Sequence, residues 1–471
     1  MAGLDPAIPS GTDGGYANTA ETAAAGMAGS SPAMTSGREA EGTEMVQEKQ
    51  VISKVAWRFV PLLITAAFLA YLDRVNVSFA AITMNANIGL SAAAYGFGAG
   101  VFFLPYVLFE VPSNIILDRV GARRWLSRIM LSWGLVSLCM VFVRGETSFY
   151  AVRALLGLAE AGLYPGVVYF LTTWFPAAYR ARIGSLFWLS IPLSTVIGAP
   201  VSGLILGLDG VLGLRGWMWL FVLEALPTLV LAFVLLRVLT DRPAEATWLD
   251  KEDRDWLVQR MAAERAGVAQ VHAPLRALRN PRILALGLVC FGAVIINYGL
   301  SFFLPQIVKG FGLSNAMVGV VSALPYVAAL FGITASGFIS DRTGNRRGCA
   351  AGMIVLCAIC LAVSTLFDDP VAKMATLVVA GFFMFGYLPA FWAIPEKILQ
   401  GPALAAGIAT INSIANVAGF TGPYLMGYLY QETGSYRIGL LALAAIGAGL
   451  SLLLLGVRTR AAVVWEPARA R

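Results

Sequence analysis

The chain has 471 residues, 58% of them hydrophobic and only 13% charged, with a mean hydropathy of +0.73. A soluble domain carries about 25% charged residues, so the composition excludes an ordinary soluble enzyme or nucleic-acid-binding protein and defines a polytopic, all-α membrane protein. The net charge of +7 is read as a topology signal, with no nucleic acid as partner.

The first 54 residues are rich in Ala, Gly, Ser and Thr, carry scattered acids and show no helical period. Such a composition cannot bury a core and predicts a disordered cytoplasmic tail. It lacks a basic stretch followed by an apolar run and a small-residue cleavage site, so no signal peptide is expected and the first apolar helix directs insertion. A bilayer-spanning helix needs about 20 apolar residues. Twelve such stretches are predicted, at 59–81, 95–117, 125–143, 149–172, 183–206, 216–237, 283–306, 316–338, 349–367, 371–393, 404–429 and 438–456. The charged segment 238–281 separates a half at 55–237 from a half at 282–458, and 459–471 forms a second cytoplasmic tail. Within the central segment, WLDKEDRDWLVQRMAAER reads as an amphipathic helix with Asp250 at its N-cap.

Of the 34 Lys and Arg residues, only Arg144, Arg215, Lys309, Lys373 and Arg437 fall on one side of the predicted bilayer. Arg74 and Arg153 lie within it, and all the others fall on the opposite side. Basic residues favour the cytoplasm, which predicts that both termini are cytoplasmic. The five cysteines (Cys139, Cys290, Cys349, Cys357 and Cys360) lie in or beside apolar runs and read as small core residues. The only histidine, His272, lies in the central segment, and no metal site is predicted.

The halves resemble each other. Asp118-Arg119-Val-Gly121-Ala-Arg123-Arg124 closes the second stretch, and Asp341-Arg342-Thr-Gly344-Asn-Arg346-Arg347 closes the eighth. Leu104-Pro-Tyr106 and Leu324-Pro-Tyr326 precede the two motifs, and Tyr71 has a counterpart in Tyr298. The glycines permit the turn, the arginines hold the loop in the cytoplasm, and the aspartates are placed to accept from helix N-termini or arginines. A repeat of this size implies a duplicated bundle with substrate bound between the halves near the midplane.

Four ionisable residues fall inside apolar stretches: Asp73 and Arg74 in the first, Arg153 and Glu160 in the fourth. A charge at the bilayer centre costs about 2.5–3.5 kcal/mol on insertion scales, so each marks a functional position. A guanidinium presents bidentate donors to a carboxylate at any physiological pH, which makes Arg74 the candidate anion site, with Tyr71 one turn before it. Asp73 points about 100° away around the helix and reads as a proton site. Glu160 and Arg153, seven residues apart, share a face and form the expected switchable pair. Glu110 and Glu224 read as loop-adjacent and packing residues.

These features resemble the major facilitator superfamily, over residues 55–458. Within it, the chain is similar to the anion:cation symporter family through Tyr71-Leu-Asp-Arg-Val-Asn-Val-Ser-Phe-Ala80, Phe109-Glu-Val-Pro-Ser-Asn114 and Arg153-Ala-Leu-Leu-Gly-Leu-Ala-Glu-Ala-Gly162. Trp174-Phe-Pro with Arg180-Ala-Arg182, and Asp241-Arg-Pro-Ala-Glu-Ala-Thr-Trp-Leu249, add to the likeness. The resemblance implies inward movement of a carboxylate with protons, driven by the proton gradient without a cofactor, by a monomer in the bacterial inner membrane. It implies that Asp73 and Glu160 carry the protons, and that Tyr71, Tyr106, Trp392 and Asn412 face the substrate as in sugar-acid carriers. Asn297, Tyr298 and Asn416 offer further donors and acceptors suited to a hydroxy acid. The apolar Trp188-Leu-Ser-Ile-Pro192, where such carriers place an amide, fits a shorter or aromatic acid. Tartrate, sugar acids and aromatic acids therefore stand as the substrate classes, ahead of drug:proton antiport or a non-transporting sensor. No nucleophile–base pair, metal cluster or phosphate loop supports an enzyme.

Overall fold

In a computed structural model the described residues are 32–266, 280–399 and 402–457; they are helical nearly throughout and contain no strand. His272 and the tail 459–471 lie outside them. The chain divides into two units, Met1–Ser53 and Lys54–Arg471. Where the composition predicts a disordered tail to residue 54, a helix Pro32–Ile88 already begins at Pro32. The run of Glu, Met, Gln and Lys before the apolar stretch consists of strong helix formers, which outweigh the small residues preceding them.

Eleven helices among the described residues are long and apolar enough to cross a membrane. Spans 1 to 6 are Val46–Ile88, Ala92–Val120, Ala122–Phe142, Glu146–Trp174, Ala177–Leu208 and Gly216–Val238. Spans 7 to 10 are Pro281–Lys309, Asn315–Thr343, Arg346–Ser364 and Pro370–Lys397, and span 12 is Tyr436–Gly456. The helix Pro402–Thr433, 32 residues long, takes the place of the eleventh predicted stretch and is span 11. The chain is thus an all-helical membrane protein of two six-helix halves.

The halves meet closely at the end away from the repeated loops. There a Cβ at Gly203 of span 5 would stand 2.6 Å from the Asn315 carbonyl oxygen of span 8, and one at Gly96 of span 2 would collide with the Pro423 carbonyl of span 11. Tyr95 donates to the Phe302 carbonyl at 2.8 Å across the same seam. At the loop end the halves part, and a cavity of about 580 Å³ opens among residues that include Glu110, Asn114 and Asp118 of span 2, Tyr169 of span 4 and Ser413 of span 11.

The central segment forms a helix, Lys251–Ala266, directly after Asp250. It docks on the N-terminal half: Lys54 donates to Asp253 at 2.6 Å and to Asp250 at 3.3 Å, and Arg180 donates to Glu264 at 3.1 Å. The Asp250 carboxylate, read as an N-cap, is thus engaged by Lys54, while its backbone carbonyl accepts from the Arg254 amide at 3.0 Å. Among the cysteines, Cys290 and Cys357 are buried, whereas Cys139 lies on an exposed face.

Span 4 is not continuous. It runs as Glu146–Glu160 and then Leu163–Trp174, broken where Gly162 takes φ +92°. A Cβ at Gly162 would lie 2.7 Å from Cβ of Ser113 in span 2, so both the backbone angle and the close approach require glycine. The break leaves Glu160 at the end of a half-helix, at membrane depth, the arrangement that marks ion and substrate sites in transporters. Gly162→Val is expected to lower the thermal midpoint in detergent by several degrees, whereas Gly352→Ala, where a Cβ meets nothing within 4 Å, is expected to leave it unchanged or raise it.

Candidate functional site

The site is built around Arg74, which is 5% exposed. One guanidinium nitrogen, Nη2, forms an ion pair with Oε1 of Glu160, and Nη1 donates to the Tyr298 hydroxyl of span 7 at 3.2 Å. The guanidinium carbon lies 5.1, 5.6, 5.0 and 5.4 Å from the ring centroids of Phe102, Phe103, Tyr106 and Tyr164, within the range of cation–π attraction. One turn earlier, the Tyr71 hydroxyl donates to Oδ1 of Asn297 at 3.4 Å. The charge therefore sits at the seam between the halves, enclosed by rings and held from both sides.

Seven-residue spacing predicts Arg153 as the partner of Glu160, and here the structure requires a correction. Residues seven apart share a helix face, but at 1.5 Å per residue they are separated by about 10.5 Å along the axis. Arg153 instead turns toward span 2. It is fully buried, its Nη2 donates to the Ala99 carbonyl at 3.2 Å and its Nε to the Gly98 carbonyl at 3.4 Å. The partner of Glu160 is Arg74, delivered by span 1.

Asp73 faces the other wall, as its offset from Arg74 dictates. Its Oδ1 accepts from Ser137 of span 3 at 2.5 Å and from the Asn76 amide at 3.5 Å, and its Oδ2 has no hydrogen-bond partner among the described residues. Asn412 donates to Glu110 at 3.4 Å beside the cavity that Glu110 lines. Trp392 packs edge-on against Phe391 with centroids 5.3 Å apart. Neither Trp392 nor Asn416 hydrogen-bonds to the Arg74 group among the described residues.

The repeated loops act as ties. Gly121 and Gly344 take φ +93° and +65° at the turns. The expected role of Asp118, accepting from a helix N-terminus, falls to Asp241, whose Oδ1 accepts from the Arg123 amide at 2.8 Å. Asp118 accepts from the Tyr169 hydroxyl at 2.6 Å instead. Arg123 donates to the Leu236 carbonyl of span 6 at 2.7 Å, Arg347 to the Val457 carbonyl after span 12 at 2.5 Å, and Arg346 to the Ala393 carbonyl at 3.2 Å. Arg119 lines the cavity. The side chains of Arg124, Asp341 and Arg342 form no hydrogen bond or ion pair with the described residues.

Several contributors carry no local signal. Tyr164, Phe102 and Phe103 read as ordinary apolar packing, and Ser137 and Asn76 gain meaning only when span 3 meets span 1. Asp241 lies more than a hundred residues from the amide it caps.

A duplicated helical bundle with buried charges at its seam and a cavity open at one end defines a membrane transporter rather than an enzyme. The family model of the Major Facilitator Superfamily matches residues 63–400 and 286–470, and the chain belongs to that superfamily. It is 45% identical over 411 residues to the "Putative tartrate transporter" of Agrobacterium vitis, covering 86% of this chain and 92% of that one. It is 40% identical over 402 residues to the quinolone resistance transporter of Acinetobacter baumannii, covering 85% and 93%. Among solved structures, a bacterial homologue of the human lysosomal transporter Spinster, inward-facing and unoccupied, superposes with a TM-score of 0.70 at 18% identity, over 85% of this chain and 96% of that one; this likeness concerns the fold alone.

Removing one partner of a buried ion pair costs about 3–5 kcal/mol, whereas replacing both with apolar groups is often neutral. A double-mutant cycle on Arg74→Met and Glu160→Met, read by thermal unfolding in detergent, is therefore expected to be strongly non-additive. Each single variant loses stability and the double variant recovers most of it. Additive losses would show that the pair is not a unit.

Proposed function

We propose that this protein imports a small organic carboxylate, tartrate or a related hydroxy acid, together with protons, across the bacterial cytoplasmic membrane by alternating access. The reading is supported chiefly by one observation: the guanidinium suited to the substrate anion is occupied by the carboxylate of Glu160. One cation serves two anions in turn. When Glu160 takes a proton its carboxyl becomes neutral, and Arg74 is free to receive a substrate carboxylate. When the proton leaves, Glu160 reclaims Arg74 and the substrate is displaced. Proton and anion thus enter and leave together without a separate coupling element.

Tyr298 and the Tyr71–Asn297 pair reach this point from both halves, so an anion on Arg74 engages both and is placed to favour their closure. Asp73, held by Ser137 and Asn76 on the wall away from Arg74, provides a second proton site. With both termini in the cytoplasm, the cavity beside Glu110 and Asn412 opens inward. The conformation then corresponds to the state after release, with Glu160 ionised and Arg74 reclaimed. The protein acts as a monomer and draws its energy from the proton gradient alone.

A second reading concerns the substrate and not the mechanism. Four aromatic rings stand within 5.0–5.6 Å of the Arg74 guanidinium, and Trp188 stacks on Tyr164 at 6.2 Å. These surfaces suit an aryl carboxylate, a group that a quinolone also carries.

Reconstituted into proteoliposomes with an alkaline interior, the wild type is expected to accumulate labelled tartrate, and a proton uncoupler to abolish the accumulation. Arg74→Lys is expected to reduce uptake more than about tenfold, because an ammonium does not reproduce the planar fork. Binding to the wild type weakens as pH rises and Glu160 ionises, by up to about tenfold per unit for one linked proton; Glu160→Gln is expected to flatten that dependence. Accumulation of labelled benzoate but not of labelled tartrate would favour the aromatic reading. Uptake indifferent to the pH gradient would refute proton coupling.

A further inference from the structure

Glu224 of span 6 takes no part in the Arg74 site, yet its setting is not that of a packing residue. It is 6% exposed. Its Oε1 accepts from the Ser202 hydroxyl of span 5 at 2.8 Å, and its Oε2 has no hydrogen-bond partner among the described residues. Asn76 lies between it and Asp73: the amide donates to Asp73 at 3.5 Å, its carbonyl oxygen Oδ1 is likewise unpartnered, and the side chain also faces Glu224. Three buried oxygens, one each from Glu224, Asn76 and Asp73, are thus left with unused bonding capacity along one short path.

The charges around this path are as telling as the contacts. Residues 75–88 of span 1, 129–143 of span 3 and 185–208 of span 5, the stretches that enclose Glu224, contain no acidic or basic residue, and span 6 adds only Glu224 itself between 216 and 236. Asp73 is therefore the one charged group facing it. An ionised Glu224 would have no cation to compensate it, and a burial of that kind is costly unless the group exchanges a proton. Glu224 lies eight residues from the start of span 6, roughly 12 Å along the axis. Asp73 lies fifteen residues from the end of span 1, roughly 22 Å. Glu224 is thus the nearer of the two to the end away from the repeated loops.

We infer that Glu224 is a third proton-carrying carboxyl group, which receives protons from the end opposite the repeated loops and passes them by way of water to Asp73, with Asn76 positioning both. In the transfer a water molecule between the two carboxyls takes a proton as the O–H bond at Glu224 breaks and gives one up as an O–H bond forms at Asp73, so the water is left unchanged. Glu224 is left as the carboxylate and is reprotonated from the solvent at its own end. Asn76 positions the two groups: its amide donates to Asp73 and faces Glu224, and its unpartnered Oδ1 is free to hold the carrying water. The inference rests on the proton-coupled reading above and deepens it by giving the protons a route on the wall away from the substrate anion.

The test uses full-length protein in proteoliposomes, with two measurements on each variant: tartrate accumulation driven by a pH gradient, and tartrate/tartrate exchange at equal pH, which needs no net proton movement. Glu224→Gln is expected to lose at least tenfold in gradient-driven accumulation while exchange stays within twofold of wild type, and Glu224→Asp to restore part of the accumulation. Asn76→Ala, which leaves Glu224 in place, is expected to show the same selective loss and decides the matter if Glu224→Gln does not fold. Accumulation at wild-type level in both variants, or equal loss of accumulation and exchange, would overturn the inference. Asp73→Asn separates the two claims. If wild type accumulates tartrate and Asp73→Asn does not, while Glu224→Gln behaves as wild type, only the role of Glu224 falls. If wild type shows no gradient-driven uptake, the functional reading falls and this inference with it.

Discussion

A guanidinium buried in a membrane must be compensated, and the pairing of Arg74 with Glu160 is the interaction on which the remaining structure depends. Desolvating two charges is expensive, and their attraction offsets the cost only when the geometry is good and the remaining donors are satisfied. Here Tyr298 takes one of the remaining guanidinium donors and four rings enclose the cation. The break at Ala161–Gly162 holds Glu160 at the end of a half-helix against Arg74. On the proposed function the pair has two conditions, paired or separately neutralised. In the proposed mechanism a proton and a carboxylate supplied together separate it.

The architecture places that pair where a change in it affects both halves. Backbone-to-backbone approaches at Gly203, Gly96 and their neighbours close the halves at one end, while the cavity beside Glu110 separates them at the other. The loops carry a matched set of ties: Arg123 fastens the start of span 3 to the end of span 6, and Arg347 fastens the start of span 9 to the end of span 12. Each half is thereby secured internally at the end where the halves part. The central helix docks on the N-terminal half through Lys54 and Arg180.

Much of this is legible in the sequence because membrane energetics are severe. Apolar length locates the spans, and a charged residue in an apolar run announces itself, so Asp73, Arg74, Arg153 and Glu160 stand out without a structure. The angle between Asp73 and Arg74 also follows from helical geometry. Which charge meets which does not follow. The seven-residue spacing identifies a shared face for Arg153 and Glu160 but says nothing of the span that arrives opposite, and span 1 delivers Arg74 where spacing alone points to Arg153. The cap that Asp241 provides, and the path from Glu224 through Asn76, likewise depend on contacts between distant segments. The early start of the first helix at Pro32 marks a different limit, because composition weighs the Ala, Gly and Ser of the tail more heavily than the Glu, Met and Lys that precede the membrane.

The central claim is that substrate anion and proton exchange places around Arg74. Its most direct test is calorimetry of tartrate binding to the purified protein, repeated in buffers of different ionisation enthalpy near neutral pH, which counts the protons taken up with the ligand. The account predicts uptake of a proton, up to about one for each anion bound, and none in Glu160→Gln. Binding to the wild type without proton uptake, or the same uptake in Glu160→Gln, would contradict it.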